Sequence, residues 1–109
     1  MPGLYNKLWV LDGILGIMEE AALQNDALRV DYLNSVFERH YNLLFPTQSD
    51  PLGCLYDHAR SAFVLSMAMF CPDHKLYIKD GQEVMNNISE YLVNLHTTGR
   101  TPKGIAEPL

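Results

Sequence analysis

The sequence predicts an all-α fold: four helices packed as a small bundle-like single domain, with room for one short extended segment near 75–79. Three observations predict it. Apolar residues recur at three- and four-residue spacing over long stretches. Pro and Gly punctuate the gaps between those stretches. At 109 residues, 48% apolar and 19% charged, the chain is long enough to bury one core, and nothing in it marks a second domain.

The first helix is predicted over 4–24. Leu4, Leu8, Leu11, Leu15, Met18 and Ala22 form one stripe, which Val10, Ile14, Ile17 and Ala21 widen. The stripe is strong enough to carry Gly13 and Gly16, each costing about 1 kcal/mol relative to Ala in a helix. Tyr5, Trp9 and Gly16 fall opposite it, with Gly13 beside them.

The second helix, over 27–45, starts at a cap supplied by Asp26 or Asp31. Its apolar face is Leu33, Val36, Phe37, His40, Tyr41 and Leu44, and Asn34, Ser35, Glu38, Arg39 and Asn42 lie opposite. Pro46 ends it. Asp50 caps the third helix and Pro51 takes the first helical position, where a missing N–H costs nothing.

The third helix is predicted over 51–71, with Leu52, Leu55, Tyr56, Ala59, Phe63 and Phe70 on one face. From Ser61 onward the other face, Val64, Leu65, Ala68 and Met69, is apolar too. A helix apolar on both sides needs cover on both sides, from its own chain or from a partner. A connector at 72–80 leads to a fourth helix over 81–98, with Val84, Met85, Ile88, Tyr91, Leu92 and Leu95 inward and Gly99 as its stop. The helical domain is thus 1–99, and 100–109, rich in Pro and Gly, reads as a loosely ordered tail.

"KLWVLDG" at 7–13 and "KLYIKDG" at 75–81 share four of seven positions. The leucine stripe runs straight through the first, so Asp12 is mid-helix. The second is followed by Gln82-Glu83, so Asp80 and Glu83 match a capping box, and Pro72 nearby favours a connector. The expectation is two different structures and no duplication. Segment 75–80, with Tyr77, is then one candidate to cover Trp9.

Composition excludes several function classes. A net charge of −5 with no Lys/Arg run disfavours phosphate backbones, so no nucleic acid is expected as partner. The longest uncharged stretch, 61–72, is shorter than the roughly 20 residues of a membrane span, so no membrane partner is expected. Two cysteines make no disulfide framework, and the N-terminus lacks the pattern of a signal peptide. These features together predict a cytoplasmic protein.

Catalytic patterns are sparse. Cys54, His58, Cys71 and His74 have ligand types suited to zinc, but a continuous helix sets the two cysteines roughly 25 Å apart, so no metal is expected. Cys54 and His58 lie one turn apart and make a thiol–imidazole pair, with Asp57 on the wrong side of the helix to orient the ring. Phosphate-binding, nucleotide-binding and serine-elbow motifs are absent from the sequence, and no cofactor is expected. His40 on its apolar face is either a hydrogen-bonded core histidine or a ligand contact.

The sequence therefore predicts a non-enzymatic, protein-binding regulator that occludes or sequesters a partner protein and works as a homodimer. Acidic helical proteins of the anti-activator, inhibitor or immunity type are analogues by class only. Tyr5, Trp9, Val64, Leu65, Ala68 and Met69 are the expected contact residues. Two alternatives stand beside it. One is a small-ligand binder with a pocket of Phe37, His40, Tyr41, Phe63 and Tyr91. The other is an enzyme or enzyme subunit using Cys54 and His58.

Overall fold

The computed structural model describes residues 4–47 and 49–98, with side chains described over 7–47 and 49–94. The element order is α1 (Leu4–Leu23), α2 (Ala27–Leu44), α3 (Pro51–Ser66) and α4 (His74–Thr98), with no strand among the described residues. The expected tail at 100–109 lies outside them, as do the side chains of Tyr5 and Leu95.

The leucine stripe of α1 is the spine of the core. Leu8, Leu11, Leu15, Met18 and Ala22 are fully covered, and each large one contributes roughly 1.5–3 kcal/mol of transfer free energy. α1 packs mainly on α2 and to a lesser extent on α3 and α4, while α4 packs mainly on α3. The α1–α2 turn uses Asn25 at φ 57°, a left-handed conformation that Asn tolerates better than most residues. The cap of α2 is Asp26, whose Oδ1 accepts from the Arg29 amide at 3.1 Å. Val30, Leu33 and Phe37 are the buried arc of α2.

Asp50 caps α3 as expected, its Oδ1 accepting from the amides of Leu52 at 2.9 Å and Gly53 at 3.4 Å. The α2–α3 corner is held by aromatics. Phe37 stacks on Tyr41 at 5.5 Å, Tyr41 leans on Phe45 at 5.3 Å, and the Tyr41 hydroxyl donates to the Gly53 carbonyl at 3.0 Å. Arg60 then stitches the two helices. It donates to Asn34 and Glu38 of α2 and to Asp57 of α3, with its guanidinium 5.8 Å from the Phe37 ring centre.

The structure departs from expectation between α3 and α4. α3 stops at Ser66, five residues short of the predicted end. Ser66 is buried, and its hydroxyl donates back to the Phe63 carbonyl at 2.7 Å, a competing bond that loosens the helical ladder. His74 Nδ1 donates to the Ser66 carbonyl at 2.8 Å, so a side chain takes an acceptor the helix leaves open. Phe70 then adopts φ 60°, which reverses the chain.

α4 begins at His74, so segment 75–79 is helical and not extended. Asp80 is consequently mid-helix and caps nothing. "KLWVLDG" and "KLYIKDG" both lie in helices, contrary to the expectation of two structures. Gly81 shows why the second one ends in Gly: a Cβ there would stand 2.7 Å from the buried Phe63 ring, at the α3–α4 contact.

Candidate functional site

The early end of α3 turns a helix face into a protrusion. Leu65 lies on the last turn of α3 and is 48% exposed, while Ala68, Met69 and Phe70 fall in the connection. Met69 is 83% and Phe70 92% exposed, and Leu76 on the first turn of α4 adds to them at 65%. Val64 is half-buried and packs against the core, so this expected contact residue is partly intramolecular. Phe70, expected on the inward face, points outward because the helix that would have carried it inward has ended.

Phe70 is also strained. A left-handed φ brings the Cβ of an L-residue against the backbone at a cost of roughly 1–2 kcal/mol. Gly would adopt it freely. The position instead carries a large aromatic, beside Met69, with almost no surface covered by its own chain. Leu28 and Tyr32 are exposed too, but they share their side of α2 with Ser35 and Arg39.

A second open surface lies on α1. Trp9 is 73% exposed, and Val10 and Ile17 are also open. Segment 75–80 does not cover Trp9. Gly13 and Gly16 stand on the same side, and a Cβ added at either would meet nothing within 4 Å.

The polar chemistry gathers in a cleft of about 520 Å³ between α2 and α3, lined by Glu38, Tyr41, Asn42, Cys54, Asp57, His58 and Arg60. His58 has an orienting carboxylate that its own helix does not supply: Nε2 lies 2.9 Å from Asp80 Oδ2 of α4. Asp57 is turned to Arg60 instead. With Nε2–H donated to Asp80, Nδ1 is left as the accepting nitrogen, and exposed Cys54 lies one turn earlier on α3. The sequence held no sign of the His58–Asp80 pairing, because 22 residues separate the two groups.

His40 is exposed, contrary to its expected place on a buried face. It lies about 60° round the helix from Phe37, at the edge of the arc that α1 and α3 cover. Phe37 and Phe63, two of the residues proposed to line a ligand pocket with it, are fully buried in the packed core. Among the described residues none closes around the imidazole.

A polar group is buried where α3 faces α1. The Tyr56 hydroxyl of α3 is sealed, with no hydrogen bond of ordinary geometry; the Asp12 carboxylate of α1 is the polar group that acts on it. Burial pushes the Asp12 carboxyl up, and the tyrosine's influence opposes that shift without cancelling it. Burial, then the Asp12 charge, pushes the Tyr56 hydroxyl up as well. Among the described residues no cluster of three or more acidic, His or Cys side chains is arranged to hold a metal ion, and no helix is long and apolar enough to cross a membrane. Comparison of the chain with protein-family models, curated proteins and solved structures returns no match.

Proposed function

We propose that the protein is a non-enzymatic, protein-binding regulator, homodimeric and cytoplasmic, that occludes or sequesters another protein in the manner of an anti-activator, inhibitor or immunity protein. The docking element is the α3–α4 connection: Met69 and Phe70 at its tip, Leu65 and Leu76 at its base. The observation that carries the reading is Phe70, a large aromatic in a strained backbone conformation with 92% of its surface open. Strain at an exposed position is a cost without return inside the chain, and such outliers gather where a molecule binds something. Large aromatics that enter a partner's pocket dominate binding energy, and Met beside them adapts to the pocket wall.

The test is retention of host proteins on the immobilised chain. Proteins retained by the wild type and lost on both Phe70→Gly and Met69→Asp support the reading. An identical set retained by all three ends it.

The Asp80–His58 pair favours a second reading, thiol chemistry at Cys54. Alkylation rates decide it. This reading requires Cys54 to react faster than Cys71, and Asp80→Asn to remove the difference; equal rates in the wild type dispose of it.

A further inference from the structure

The four described glycines all lie inside helices, where each costs about 1 kcal/mol relative to Ala. Two have a visible reason. A Cβ on Gly53 would stand 2.9 Å from the Phe45 ring, and one on Gly81 would stand 2.7 Å from Phe63. At these two positions the glycine marks a close approach. Gly13 and Gly16 have no such neighbour, yet they sit in the middle of an exposed apolar strip with Trp9, Val10 and Ile17. The strip carries no charged group between Trp9 and Ile17, since Asp12 is turned to Tyr56. That matters in a chain of net charge −5, which repels its own copies over most of its surface.

We infer that this strip is the contact between two copies of the chain, with the two α1 helices crossing antiparallel at Gly13 and Trp9 of each seated over Gly16 of the other. The residues fit each other under that two-fold. A residue a few positions before Gly13 stands level with one as many positions after it on the second copy. Trp9 is therefore level with Gly16 and Ile17, and so is Val10. Rotation of 100° per residue puts Trp9 and Gly16 about 20° apart on one side of the strip, and Val10 and Ile17 about 20° apart on the other. The two-fold brings each side against its own counterpart. A bulky indole then meets a glycine twice, and two aliphatic pairs close the other side.

A parallel pairing loses this fit. It sets Trp9 on Trp9 and Glu20, near the centre of the same face, on Glu20. The antiparallel crossing moves Glu20 out to the level of residues before Lys7 and opposes the two helix dipoles. The strip is complementary to itself, which singles out a second copy over an unrelated protein. One helix strip buries less than the roughly 800 Å² per partner of a standard interface, so the dimer is expected in the micromolar range and dependent on Trp9. This contact rests on the homodimer proposed above and is independent of the docking role of the α3–α4 connection.

Light scattering behind size exclusion, from micromolar to millimolar chain, tests the inference. The wild type is expected to shift from monomer to dimer, Trp9→Ala and Gly16→Leu to weaken that shift about tenfold or more, and Met69→Asp to leave it unchanged. Gly16→Leu raises helix propensity and its Cβ meets no neighbour within 4 Å; circular dichroism and urea unfolding check that the fold is kept. Orientation is read by oxidising mixed chains in a Cys54→Ser, Cys71→Ser background. Val10→Cys mixed with Ile17→Cys is expected to give cross-linked pairs containing one of each. A wild type monomeric throughout, a Gly16→Leu chain that dimerises as tightly, or cross-links only between like variants would each overturn it.

Discussion

Phe70 is the residue on which the functional reading turns, and its strain makes a direct prediction. Phe70→Gly relieves the left-handed clash but gives the unfolded chain more freedom, for a net stabilisation of about 0.5–1 kcal/mol by urea unfolding. A variant less stable than wild type would mean that the ring packs on its own chain. Asp12 makes the second prediction. Burial raises its carboxyl above the ordinary 3.8, so the folded chain holds that proton more tightly than the unfolded one. This favours the fold below 3.8 and is lost as pH rises through the raised folded value. Asp12→Asn is therefore expected to stabilise the protein near neutrality, with the gain shrinking in acid; urea melts at several pH values check it. Neither residue was legible in the sequence. The leucine spacing places Asp12 mid-helix, but its burial near Tyr56 depends on how α1 meets α3. Phe70 fell in register with an inward face, and only the chain reversal placed it outside.

At the scale of elements, periodicity and caps were informative and the break was not. The leucine stripe, Asp26, and the Asp50–Pro51 start gave α1, α2 and the beginning of α3 because each signal is local. The end of α3 at Ser66 is set by the Ser66 hydroxyl and by His74 from the next helix. Pro72 is the only proline between Pro51 and Pro102, so local signals extend α3 to it and start α4 after it. The glycines then separate helix–helix contact from open surface by experiment. Gly81→Ala drives a methyl into the buried Phe63 ring, and overpacking of that kind costs typically 1–3 kcal/mol. Gly13→Ala meets no atom in the monomer and is expected to gain roughly 0.5–1 kcal/mol. Chemical denaturation of the two variants at low concentration should show opposite signs. The same sign for both would mean that propensity alone decides.

The whole molecule is a closed core with open apolar surfaces in separate parts of the sequence. Leu8, Leu11, Leu15, Phe37, Tyr56, Phe63 and Ile88 seal the inside, while the α1 strip and the α3–α4 connection stay uncovered. Trp9 on the wrong face for the core was legible from the heptad-like spacing alone. Leu65, Ala68 and Met69 were legible as surplus apolar surface, but the form of that surface, an exposed connection and not a helix face, was not. These two open surfaces are where we propose that a second copy and a different protein dock. Photo-crosslinking from the tip in the native host examines this most directly, with Phe70→benzoylphenylalanine compared against Arg39→benzoylphenylalanine on the polar side of α2. A discrete adduct with one host protein from position 70, absent from position 39, is expected; no adduct from position 70, or the same adducts from both positions, would contradict a docking role for this surface.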